Sequence, residues 1–148
     1  MRALLFTFAA ALVLAASPLS AGAVVTTTGG GNSSVTHRIA NMMIVRLNML
    51  NASGENGTAT IAQSGTGTSV VINVTGEAKG ASQPAHIHFG SCASPGAIRN
   101  GLNNVVAGHS STTLSVPYSQ FASGAMVIVL HKGAGLNLAH YMSCGTIH

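Results

Sequence analysis

The chain consists largely of short runs in which apolar and polar residues alternate, and clusters of Gly, Asn and Ser separate one run from the next. The alternation is clearest in MIVRLNML, residues 43–50, and in SVVINVTG, residues 69–76. Successive side chains of a β-strand point to opposite faces, so a period of two is typical of a strand with one buried face. The sequence therefore predicts an all-β domain of about seven or eight short antiparallel strands, folded as a sandwich or barrel.

Other segments are assigned from their composition as well as their alternation. AMVIVLH, residues 125–131, is a continuous apolar run and predicts a buried strand. The segment from Gly90 to Asn104, which carries Cys92, is predicted to be a loop. The remaining predicted elements are strands at 57–63, 84–90, 111–116 and 141–147, a turn at 64–68 and one helical turn at 117–122.

The first residues of the chain predict export. Residues 1–23 contain an early Arg, an apolar run from Ala3 to Ala16, and small residues that end in an A-x-A cleavage site. The apolar run is shorter than the roughly 20 residues that a helix needs to span a bilayer, although an uncleaved membrane anchor remains the alternative. We therefore expect a signal peptide at 1–23, a flexible linker at 24–37 and one secreted or periplasmic domain at 38–148, without a stable membrane span after cleavage.

Charged residues are scarce, and this excludes several functions. The chain has six Lys and Arg residues, and Glu55 and Glu77 are its only carboxylate side chains. Without Asp, and with the two Glu residues far apart in the sequence, neither a Ser-His-Asp triad nor a pair of catalytic carboxylates is expected. The basic residues are scattered rather than clustered, so nucleic acid is not an expected partner.

The segment QPAHIHFGSC, residues 83–92, contains the candidate metal ligands. Period-two geometry places His86 and His88 on one face of a strand, where both imidazoles project toward the same point and could chelate copper or zinc. The structural alternative places both histidines on the solvent face while Ile87 and Phe89 fill the core. The only two cysteines of an exported chain are expected to be oxidised to a disulfide.

Three segments occur in a defined order: HIHFGSC at 86–92, VIVLHKGAG at 127–135 and SCGTI at 143–147. The ordered set resembles the copper/zinc superoxide dismutase superfamily, and more closely its small exported, chordin-domain-like relatives, over roughly residues 47–147. The resemblance implies an antiparallel Greek-key β-sandwich or flattened barrel with one disulfide inside the domain. It also implies that copper binds to His86, His88 and His131, and that Cys92 is bonded to Cys144.

The chain departs from that family at several positions. Ser94 to Val106 has neither the histidines nor the aspartate of the family's zinc loop, so zinc is not expected to bind in the family's manner. Tyr141 occupies the position of the arginine that holds the superoxide anion in dismutases. Lys132 is the nearest basic residue in the sequence, but a strand neighbour of His131 points to the opposite face. Candidates for a fourth ligand are His109, His140 and Met142.

Three functions are consistent with these residues. The favoured hypothesis is an exported copper-binding protein with a carrier, sensor or scavenging role, and the sequence does not identify its protein partner. The first alternative is a zinc-free, copper-only superoxide dismutase that acts on superoxide, and the second is a non-catalytic structural module of the chordin type. The metal hypotheses predict ring nitrogens within about 4 Å of one another, whereas the structural one predicts rings that diverge or pair with backbone groups.

Overall fold

The computed structural model describes residues 37–39 and 41–148, and these residues form an all-β fold, as predicted. The predicted signal peptide at 1–23, and all but the last residue of the linker predicted at 24–37, lie outside the described residues. The strands are β1 (His37–Ile39), β2 (Met42–Met49), β3 (Asn56–Ser64), β4 (Gly67–Thr75), β5 (Ser82–Ser91), β6 (Ser94–Val106), β7 (His109–Leu114), β8 (Met126–His131) and β9 (Tyr141–Ile147). Two 3-10 helices, Tyr118–Phe121 and Gly135–Ala139, lie on either side of β8 in the sequence.

The strands form one antiparallel sheet in the order β1-β2-β3-β4-β7-β6-β5-β8-β9. Strand β9 also pairs with β2, where Asn48 faces Cys144, so the strands from β2 to β9 close into an eight-stranded barrel. The order β8-β5-β6-β7 is that of a Greek key, because three consecutive strands are followed by a fourth that returns beside the first. The predicted turn at 64–68 is a tight hairpin in which Gly65, at φ 58°, occupies the left-handed conformation that glycine tolerates.

One predicted element is wrong, because the segment from Gly90 to Asn104 is mostly strand rather than loop. Strand β6 runs for 13 residues and pairs with β5 along most of its length. The pairing has three irregularities, between Gln83 and Ala85, between Ile87 and His88, and between His88 and Gly90. A β-bulge shifts the faces of the residues that follow it, so the strand shows no clean period of two in its sequence.

Strand β8 is buried on both faces, which explains its uninterrupted apolar sequence. Met126, Ile128 and Leu130 belong to the core that fills the barrel. Val127 and Val129 point outward into a second, smaller cluster with Cys144, against which Leu50, Cys92 and Tyr141 pack. The outer face of β8 is therefore a covered surface and not a solvent face.

The two cysteines form the predicted disulfide. Cys92 lies in the turn between β5 and β6, Cys144 lies on β9, and their Cα atoms are 5.8 Å apart. The bond fastens this turn to the outer face of the barrel, beside Val127 and Val129. Among the described residues, neither short helix has the length and apolar character needed to cross a membrane.

Removal of the disulfide tests how much it contributes to stability. The bond closes a loop with a sequence separation of 52 residues. We expect the double variant Cys92→Ala, Cys144→Ala to lose about 4 kcal/mol of unfolding free energy, because its unfolded chain is less constrained. Guanidinium unfolding of the oxidised protein and the variant measures the difference. Equal free energies would show that noncovalent packing alone holds the turn on β9.

Candidate metal centre

The pairing of β5 with β8 brings the three predicted histidines together. His88 lies opposite Val127 and His86 lies opposite Val129, and both valines point outward. Residues that face each other across an antiparallel pair share one side of the sheet, so both histidines are on the outer face. His131 is two residues beyond Val129 on β8 and therefore lies on the same face, diagonal to His86.

The ring nitrogens converge on one point. His86 Nδ1 lies 2.9 Å from His131 Nε2, and one nitrogen from each of the three rings lies within 4.8 Å of the others. The closest pair meets the predicted limit of about 4 Å, whereas the three nitrogens together converge only to within 4.8 Å, which is wider than predicted. Nitrogens that share a tetrahedral ion with bonds near 2 Å are about 3.4 Å apart, so a ring displacement of about 1 Å closes the group around a metal.

Two backbone carbonyls orient the rings. His88 Nδ1 donates to Gly96 O at 2.9 Å, and His131 Nδ1 donates to Leu138 O at 2.6 Å. With these protons on Nδ1, each neutral ring carries its lone pair on Nε2, the nitrogen left for a metal. His86 Nδ1 then donates to His131 Nε2 in the metal-free protein. The structural alternative predicted that the rings pair with backbone groups rather than with one another. This holds only for the outer nitrogens, which are Nδ1 of His88 and Nδ1 of His131, because His86 pairs with His131.

The inner nitrogen of His88 fits a metal ligand. His88 is 5 % exposed, and its Nε2 is buried without a hydrogen-bond partner in the part of the chain that the structure describes. A buried polar atom without a partner costs about 1–3 kcal/mol, so such atoms are rare in folded proteins. A metal ion bound by the three rings would occupy this lone pair.

The environment keeps two of the rings neutral. Burial is the largest cause that lowers the pKa of His86 below 6.5, followed by the positive charges that protonated His131 and His88 would carry. Burial also lowers the pKa of His131, the bond to the Leu138 carbonyl opposes this change, and His88 adds to it. Neutral imidazole is the form that binds metals, so the cluster is ready to accept an ion near neutral pH.

Apolar groups cover the cluster on one side and solvent reaches it on another. The Tyr141 ring packs edge-on against His131, with centroids 5.3 Å apart, next to the cluster of Val127 and Val129. His86 is only half-buried and forms the accessible side. The residues that sequence reasoning missed are Gly96 and Leu138, because they act through backbone carbonyls that any residue type carries.

The two histidines predicted as possible fourth ligands are not part of the convergent group. His109 lies on β7, where its Nδ1 is 3.0 Å from Asn73 Oδ1, and β6 separates this strand from β5. His140 is exposed at the end of the second 3-10 helix, and neither histidine belongs to the cluster found among the described residues. Met142 is half-buried on β9, next to Tyr141, and its role as a ligand stays a prediction.

The structural alternative predicted that Ile87 and Phe89, on either side of His88, both lie in the core. This is confirmed for Ile87 only. Ile87 is fully buried inside the barrel, as that alternative requires. Phe89 is 50 % exposed, and the guanidinium of Arg99 lies 5.7 Å from its ring centroid. The exposed position of Phe89 is consistent with the irregular pairing on both sides of His88.

No protein-family model, curated protein or solved structure matches this chain. Three convergent imidazoles, two of them oriented by carbonyls and one half-exposed, can bind a divalent or monovalent ion that prefers nitrogen ligands.

The lowered pKa values predict how the stability of the metal-free protein depends on pH. Because the pKa of His86 and of His131 is lower in the folded state than 6.5, the unfolded chain takes up protons first on acidification. Above pH 6.5 both rings are neutral in the folded and in the unfolded chain, and the free energy of unfolding has its full value. It decreases as the pH falls from 6.5 through the folded-state pKa values. We expect urea unfolding between about pH 8 and 5 to show this decrease. The variant His86→Gln, His131→Gln should show a shallower slope, and an equal slope would contradict the assignment.

Proposed function

We propose that this protein is exported and binds one copper ion through His86, His88 and His131, in a carrier, sensor or scavenging role. The observation that carries the proposal is the convergence of three ring nitrogens while backbone carbonyls hold the outer nitrogens of two rings. This combination of ligand and outer-shell hydrogen bond is the usual arrangement of histidine metal sites. The disulfide supports export, because such bonds persist mainly in oxidising compartments.

The choice of copper is argued from the ligand chemistry. Three imidazoles suit both copper and zinc, and the affinity order of divalent metals at a nitrogen site favours copper. Calcium and magnesium prefer oxygen ligands, which this cluster does not offer. When bound, copper would supply redox chemistry or simply be transported. On binding through Nδ1, His86 would carry on Nε2 the proton that it otherwise donates to His131, so the neutral ring would change tautomer without net release of a proton.

We also propose that the chain is a divergent member of the copper/zinc superoxide dismutase-like superfamily. Support comes from the Greek-key barrel and from a disulfide that joins the turn after the H-x-H strand to the C-terminal strand. The third histidine ends β8, as the resemblance implies. The missing zinc ligands between Ser94 and Val106 are consistent with a site for a single ion.

A copper-only superoxide dismutase is the second candidate function. The half-buried position of His86 favours it, because an anion could reach an ion bound at this side of the cluster. Dismutation also requires a cation that attracts and orients superoxide. The family's arginine is replaced by Tyr141, which packs on His131. Lys132 is exposed, and its backbone N–H is bonded to His140 O. We therefore favour a binding role over tuned catalysis.

Copper titration of the mature, disulfide-bonded domain tests the proposal. We expect the wild type to bind one equivalent of copper, and the variant His86→Ala, His88→Ala, His131→Ala to lose this binding, because its ligands are removed. The variant His109→Ala, His140→Ala is the matched control and should bind like the wild type, since neither ring belongs to the cluster. Equal weak binding by all three proteins would contradict the proposal and favour a structural module.

A superoxide dismutase assay on the copper-loaded protein separates the two candidate functions. A carrier is expected to show no more activity than the same concentration of copper bound to a simple histidine peptide, because Tyr141 stands in place of the arginine that orients the anion in the family. Activity well above this reference, lost in the triple variant, would identify an enzyme.

A further inference from the structure

Glu55 is a fully buried carboxylate, and the metal cluster does not include it. It lies between β2 and β3 and is 0 % exposed. Ser143 Oγ donates to Oε1 at 2.7 Å, and Gln83 Nε2 donates to Oε2 at 2.6 Å. Both oxygens of the carboxyl group therefore accept hydrogen bonds. No Lys or Arg pairs with Glu55 among the described residues, so its charge has no neutralising partner there.

Glu55 lies inside the barrel, behind the wall whose outer face carries the three histidines. Ser143 lies opposite Leu130, which points into the barrel and immediately precedes His131. Residues opposite each other share a face, so Ser143 and the carboxylate that it contacts are inside the barrel. The rings of the cluster are on the outside of the same wall. Gln83, which contacts the carboxylate, lies three residues before His86 on β5, so the carboxylate and the cluster are on the order of 10 Å apart along the strand.

We infer that Glu55 is the counter-charge of the metal centre, which strengthens binding of a doubly charged ion and favours Cu(II) over Cu(I). The inference rests on the proposed metal site. The three imidazole ligands are neutral, and the only other carboxylate side chain, Glu77, follows β4, which lies across the barrel from β8. Glu55 is therefore the only side-chain anion on the wall that carries the cluster. An unpaired buried charge is unfavourable, and a cation bound nearby would offset part of that cost.

A purely structural role for Glu55 makes a different prediction. If Glu55 only links β5 and β9 through its hydrogen bonds, its loss would change the geometry of the site and would weaken the binding of ions of different charge to a similar extent. As a counter-charge, it acts twice as strongly on a divalent ion as on a monovalent one. At about 10 Å and an intermediate dielectric, loss of the charge should weaken divalent binding roughly tenfold and monovalent binding roughly threefold.

The variant Glu55→Gln removes the charge and keeps the shape of the side chain. Gln83 Oε1 is buried without a partner among the described residues, and after rotation of the amides the new NH₂ group could donate to it. We therefore expect the variant to fold. The control is Glu77→Gln, which removes the same charge on the far side of the barrel.

The experiment measures the affinity of the wild type and both variants for Cu(II), and for Cu(I) with ascorbate and a competing chelator. The expected result for Glu55→Gln is a loss of roughly tenfold for Cu(II) and threefold for Cu(I), equivalent to a rise of about 30 mV in reduction potential. Glu77→Gln should change each affinity by less than about twofold. An equal loss for both ions, or no difference between the two variants, overturns the inference and leaves the proposed function intact. A wild type that binds no better than the triple histidine variant overturns both.

A second variant keeps the test decisive if Glu55→Gln does not fold. The variant Glu55→Leu, Gln83→Leu, Ser143→Ala replaces the whole buried polar group with apolar side chains, an exchange that proteins often tolerate. The same selective loss of Cu(II) affinity is expected. An unchanged ratio of Cu(II) to Cu(I) affinity overturns the inference.

Discussion

The pairing of β5 with β8 is the interaction on which both the core and the histidine cluster depend. In this register, Ile128 and Leu130 enter the barrel, while Val127, Val129 and His131 point outward beside the two histidines of β5. A slip of one residue would exchange the two faces of β8, which would place valines in the barrel and move His131 away from the other rings. The apolar residues therefore fix the register, and the register assembles the ligands.

The main chain, more than side chains, orients the cluster. The carbonyls of Gly96 and Leu138 determine which nitrogen of His88 and of His131 carries the proton. Gly96 follows the turn that the disulfide fastens to β9, and Leu138 belongs to the second 3-10 helix. Because these acceptors belong to the backbone, substitution of the residues that carry them would alter the site less than displacement of the segments. Such pre-organisation lowers the cost of ordering ligands around an ion.

The sequence predicted the parts of the fold that have a regular period. The strand at 141–147 has the predicted bounds, and the H-x-H pair lies on one face as alternation requires. Strand β6 was missed because bulges disrupt its alternation, and the same irregular pairing accompanies the exposed position of Phe89. The approach of His131 to His86 was expected only from the family resemblance. It depends on a register between strands that are 45 residues apart, which residue patterns do not specify.

Because charged residues are scarce, the cluster would select a metal ion by its preference for nitrogen ligands rather than by charge. Three neutral imidazoles contribute no attraction for a cation beyond their lone pairs, and the chain as a whole has a net charge of +4. Such a site discriminates by ligand type, because ions that require oxygen ligands gain little from it. A single negative charge inside the barrel can then influence the balance between two oxidation states without occupying a coordination position. The affinity and the redox preference of the bound ion would thus be controlled from opposite sides of one sheet.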